Sequence, residues 1–150
     1  MEIVKIQQFS RLLRYMKSIF NYLNELYNQD LSSENLNIAF NHHENRKLAE
    51  LGDGVLDLVL KELEYSRLGS TQATMDKVRQ DNANRDKMKE ILNGDHQFSQ
   101  HLKEKGCTSP IGNFGKERCD AFIEATIAAI YLDKSYEEAR KFILTIFEVN

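Results

Sequence analysis

The apolar positions of this chain recur at alternating spacings of three and four, the period of an amphipathic helix. Ile6, Phe9, Leu13, Met16, Phe20, Leu23 and Tyr27 predict one helix over about 3–28, ended by Asn28-Gln29-Asp30. A sustained seam of this kind also suits a coiled coil, but flanking charges are sparse, which favours packing on the chain's own domain. Ser32 or Ser33 is placed to cap a short helix carrying Leu36, Ile38 and Phe40. Next comes NRKLAELGDGVLDLVLKEL, residues 45–63, in which only Asp57 is polar between Val55 and Leu60. It predicts a helix over about 45–66 that is buried on most of its circumference. Gly69 ends it, and Ser70 or Thr71 caps the next. Between 72 and 105, Met75, Val78, Met88, Ile91, Leu92, Phe98 and Leu102 predict two or three short helices, broken near 82–84 and 93–95. Residues 106–115, GCTSPIGNFG, read as the one clear loop. KERCDAFIEATIAAIYLD, from Lys116, predicts a second strongly apolar helix, with Ala125, Ala128 and Ala129 small enough for close helix approach. YEEARKFILTIFE closes the chain through Ala139, Phe142, Ile143 and Ile146. One proline and few β-branched runs make the fold all-α, a bundle of about seven to eight helices.

Composition narrows the class. A chain of 150 residues, 41% apolar and 29% charged, is read as one soluble domain over 1–150 with a core of its own. Cys107 and Cys119 are too few for a disulfide framework. No signal-peptide run and no membrane-length apolar stretch is present, so the expected location is the cytoplasm. The net charge of −3 argues against indiscriminate binding to phosphate backbones. Residues 77–118, however, hold nine Lys/Arg against six Asp/Glu, a local +3 that is either a basic surface or an ordinary solvated one.

The chemistry lies in the two apolar helices, because both carry acids. Glu50, Asp53 and Asp57 share one face of the first, and Asp120 and Glu124, four residues apart, share one face of the second. Burying carboxylates costs several kcal/mol (about 3–5 when one is left alone) unless they are paired or bind a cation. Side by side, Glu50/Asp53 and Asp120/Glu124 would make an all-carboxylate site suited to Mg²⁺ or Mn²⁺, which can activate water against a phosphodiester. The alternative is ion pairing with Lys47, Lys116 or Arg118, or helix capping. His42-His43 follow the second helix, and no third ligand stands at metal-site spacing, so they read as surface histidines at a helix C-terminus.

NRKLAELGDGVLDLVL resembles the signature of the ribonuclease III family, N-E-R-L-E-F-L-G-D-A/S-V-L, and CDAFIEATIAAIYLD resembles its second motif, D-x-x-E-A-x-I-G-A-x-Y-L-D. With SENLNIAFNH the similarity spans most of the chain. It implies an all-helical endonuclease domain, working as a homodimer, that cuts double-stranded RNA with Mg²⁺. Asp53 matches the metal-binding Asp of the first motif and Glu124 the metal-binding Glu of the second. The motif's first Glu is Ala49 here, with Glu50 one residue on; the second motif's Asp is Ala121, with Asp120 one residue earlier. A one-residue step rotates a side chain by about 100°, which a π-bulge would absorb for Asp120. Glu50 is then a further helper or a polar residue at the dimer seam. The short Mini-ribonuclease III group, which lacks a double-stranded-RNA-binding domain, likewise has Ala at the first position and no Asp at the second-motif position. In this reading the catalytic dimer holds structured RNA by shape and phosphate contacts, with Lys77, Arg79, Arg85, Lys87, Lys116 and Arg118 as the cations. The alternative function is an RNA- or ribosome-binding scaffold of the same fold.

Overall fold

The computed structural model describes residues 18–105 and 119–149, which form eight helices and no strand. In chain order they are α1 (Ile19–Leu26), α2 (Glu34–Ala39), α3 (Arg46–Tyr65), α4 (Gln72–Asn82), α5 (Arg85–Gly94), α6 (His96–Glu104), α7 (Cys119–Asp133) and α8 (Tyr136–Ile146). The all-α expectation holds, as do the three short helices between 72 and 105 and their breaks. The loop at 106–115, Lys116 and Arg118 lie outside the described residues.

Helix α7 is the axis. Every side chain from Asp120 to Ile130 is buried, as an all-round apolar helix requires. It packs against α2, α3, α5 and α8, with its most extensive contact on α3. That contact is close because of Gly52: a Cβ there would stand 1.6 Å from the carbonyl oxygen of Glu124. Ala125, Ala128 and Ala129 are fully buried, as their size suggested. Phe122, Ile123, Ile127, Leu56, Leu60, Phe142 and Ile143 fill the core around the pair.

Two expectations need correcting. Helix α3 is not buried around most of its circumference: Leu51 is 40% exposed, Leu58 51% and Tyr65 76%. No element of this chain covers that strip among the described residues. Asp57 also leaves the row of acids, pairing with Lys61 at 3.1 Å on the surface. The second correction concerns the helix expected over 3–28, of which residues 3–17 lie outside the described residues. Ser18 has extended backbone angles (φ −70°, ψ 125°) and N-caps α1, so no helix runs through it. Periodicity is overruled by a tertiary cap, in which the Ile19 N–H and the Ser18 hydroxyl donate to the Asp95 carboxylate at 2.6 and 3.1 Å. Asp95 meanwhile accepts from the Phe98 N–H at 3.0 Å, capping α6.

Other caps follow the sequence. Ser33 caps α2 (Leu36 N–H, 3.0 Å), and Thr71 with Thr74 forms a capping box on α4. Gly69 precedes it with φ +87°, a left-handed turn that glycine makes without strain. At the far end of α7, Asp133 accepts from the Tyr27 hydroxyl (2.8 Å), the Ser33 hydroxyl (2.5 Å) and the Asn35 amide (2.8 Å), tying down α1 and α2. Burial and this bond to Asp133 hold the Tyr27 hydroxyl well above the usual tyrosine range. No described helix is long and apolar enough to cross a membrane.

Candidate functional site

Between α3, α4 and α7 lies a cleft of about 620 Å³. Helix α3 contributes Arg46, Lys47, Ala49, Glu50 and Asp53; α4 contributes Arg79; α7 contributes Asp120, Ala121 and Glu124. All four acids singled out from the sequence therefore line one hollow. Gly52 sets the geometry, because the backbones meet there and carry its neighbour Asp53 up beside Glu124.

The acids differ in setting. The Glu124 side chain is 7% exposed and that of Asp120 8%, whereas Asp53 is 49% exposed and Glu50 lies at the rim. Glu124 and Asp120 are thus the carboxylates for which charge compensation matters most. Among the described residues, two arginines supply compensation. Arg79 bridges the helices: its Nη1 donates to Asp53 Oδ1 and its Nη2 to Glu124 Oε1, the latter at 3.3 Å. Its Nε donates to the Ala83 carbonyl at 3.4 Å, at the C-terminal end of α4, where a cation is favoured. Arg85, largely exposed, places Nε 3.5 Å from Asp120 Oδ2.

By donor type these residues suit a divalent cation. Mg²⁺ and Mn²⁺ take hard oxygen donors, and Asp53 and Glu124, from different helices, already close on a single positive group. Among the described residues no three His, Cys, Asp or Glu side chains converge as a ready-made metal cluster. Ala49 and Ala121, which stand where the resemblance expects carboxylates, line the same cleft and are buried.

The cations divide differently from the expectation. Arg79 and Arg85 engage the acids. Lys77 is exposed on α4, and Lys87 lines a separate hollow with Glu90, Ile91 and Asp95. Lys47, expected as a pairing partner for the acids together with Lys116 and Arg118, lines the cleft, and among the described residues Asp53, Glu124 and Asp120 form ion pairs with Arg79 and Arg85. Arg46 was missed in the sequence, though the signal was present: it stands four residues before Glu50 and seven before Asp53, on the same helical face. His42 and His43 lie against each other with centroids 3.8 Å apart and ring planes tilted by 44°, outside the cleft.

Residues 29–149 match a family model described as Ribonuclease-III-like. No curated protein and no solved structure matches the chain significantly.

Proposed function

This chain belongs to the ribonuclease-III-like family, whose business is RNA processing, and we propose that it is a Mg²⁺- or Mn²⁺-dependent endoribonuclease acting on double-stranded or structured RNA. The observation that carries the reading is the convergence of Asp53 and Glu124, from two helices, on one cation. A divalent ion bound there supplies Lewis acidity and a water of lowered pKa. Asp53 and Glu124 are its ligands, with Asp120 the helper at the deep end of the cleft and Glu50 the helper at the rim. Arg46 and Lys47 bring positive charge to the same hollow, where a phosphate must enter. Lys77, Lys87, Lys116 and Arg118 complete the proposed RNA-binding set, since Arg79 and Arg85 are engaged by the acids. Cleavage leaves a 5′-phosphate and a 3′-hydroxyl.

The active form in this proposal is a homodimer of the Mini-ribonuclease III type, in the cytoplasm, with one domain supplying both catalysis and RNA contact. Supporting it is the bare strip on α3, which with Tyr131 and Tyr136 borders an apolar hollow of about 380 Å³. Large exposed apolar surface of this kind marks an interaction site. Two clefts, one per copy, would cut opposite strands.

The test is incubation of a perfect RNA duplex with Mg²⁺ or Mn²⁺. Asp53→Asn and Glu124→Gln are each expected to lower the cleavage rate by about a hundredfold or more, with helicity by circular dichroism retained. Unchanged cleavage by either variant overturns the site assignment. A second reading, a non-catalytic scaffold, is favoured by one specific observation: Ala49 and Ala121 remove two donors from the cleft. Millimolar Mn²⁺ discriminates the two, since a ligand specific to the native state raises the unfolding temperature, and a scaffold without a metal site would not respond.

A further inference from the structure

Arg79 was singled out as an RNA contact, yet its guanidinium is spent elsewhere. It reaches from the last turn of α4 into the cleft, is only 23% exposed, and touches the two carboxylates proposed as metal ligands. A guanidinium carries one positive charge and hydrogen-bonding N–H groups, and is always charged at neutral pH. It therefore does for Asp53 and Glu124 much of what a divalent ion would do, without offering a coordination site of its own. Both cannot occupy the space between those carboxylates at full strength.

We propose that Arg79 is an internal competitor of the metal: in the metal-free protein its guanidinium occupies the cation position between Asp53 and Glu124, and metal entry requires it to withdraw. This deepens the nuclease reading and rests on it. Three features of the structure favour the exchange over a permanent ion pair. Asp53 is half exposed, so one leg of the bridge is open to solvent and to an incoming ion. The other leg, at 3.3 Å, is longer than a strong charge-assisted bond. The Nε bond to the Ala83 carbonyl gives the side chain an anchor outside the acid pair. Arg46 and Lys47 add to the positive potential in the cleft, but neither bridges the two carboxylates.

The consequence is a metal affinity set by competition. An opposite charge within about 4–6 Å changes the proton affinity of a carboxylate by about one to three powers of ten, and a competing dication feels the same charge. Removal of the Arg79 charge is therefore expected to tighten Mn²⁺ binding by about tenfold or more.

The experiment is a Mn²⁺ titration of the full chain without RNA, read by electron paramagnetic resonance of the free ion and by the unfolding temperature with and without Mn²⁺. It compares the parent with Arg79→Gln, Arg79→Ala and Arg79→Lys, and uses Asp53→Asn as the ligand control. Arg79→Gln keeps the length and hydrogen-bonding end of the side chain, so the comparison survives if Arg79→Ala does not fold. The expected result has three parts: the Gln and Ala variants bind Mn²⁺ more tightly, the Lys variant stays near the parent, and the metal-free Gln variant melts lower but gains more from Mn²⁺. Equal or weaker binding by Arg79→Gln overturns the competition while leaving the metal reading intact, provided that the parent binds and Asp53→Asn does not. If none of the proteins binds Mn²⁺, both the competition and the metal reading fail.

Discussion

At the scale of single residues, the site depends on a side chain that is missing. Gly52 carries no function of its own, but any Cβ at this position would collide with the Glu124 backbone. Neither α3 nor α7 can yield locally, because a backbone carbonyl has no alternative rotamer. Gly52→Ala is expected to cost about 3 kcal/mol, the upper range for overpacking, and to lower the unfolding temperature by about 6 °C or more. Metal affinity should fall with it, since the same shift separates Asp53 from Glu124. Calorimetry checks the first and Mn²⁺ titration the second. Gly54, two residues on, meets nothing within 4 Å when given a Cβ, and Gly54→Ala serves as the benign control.

Among the elements, α6 shows how a helix with weak sequence signals is docked. Phe98 and Leu102 are fully buried, and His101 sits between the rings of Phe20 and Phe40, with both centroids 5.1 Å away. Burial lowers the His101 pKa below its ordinary 6.5, Lys105 lowers it further, and Glu104 acts the other way. The unfolded chain therefore binds the proton more readily, and the His101 contribution to stability is complete above about pH 6.5 and lost as the pH falls below it. His101→Phe, which keeps the ring, is expected to lose less stability than the parent between pH 7 and pH 5, measured by urea unfolding. Equal losses would contradict that role.

The elements also show what was legible beforehand. Helix α7 and the breaks at 82–84 and 93–95 followed from apolar periodicity and turn residues, because those signals are local. The start of α1 at Ser18 did not: its cap draws on Asp95, seventy-seven residues away, and no local pattern encodes a tertiary cap. In the site, spacing along each helix placed Glu50 with Asp53 and Asp120 with Glu124. What sequence could not supply was the counter-charge. Arg79 comes from a third helix whose direction depends on the turn at Gly69, so its arrival between Asp53 and Glu124 was invisible to spacing on α3 or α7.

For the molecule as a whole, the cleft and the bare strip lie on different faces of α3. Acids and cations face one side, and Leu51, Leu58, Tyr131 and Tyr136 border a hollow on the other. A single helix can thus serve a site and an association surface without either obstructing the other. Leu58→Glu is expected to shift the proposed dimer to monomer in sedimentation, while Mn²⁺ binding in the cleft stays within about twofold, as for sites that do not share partners. A monomeric parent would remove the dimer from the proposal and leave the cleft untouched.

The most direct measurement is the position of manganese in a Mn²⁺-soaked crystal, read from its anomalous scattering. The expected peak lies within about 2.0–2.2 Å of carboxylate oxygens from both Asp53 and Glu124, with the Arg79 guanidinium displaced from between them. A fully soaked crystal with no peak there, and Arg79 still bridging the two acids, would contradict the metal-dependent nuclease reading.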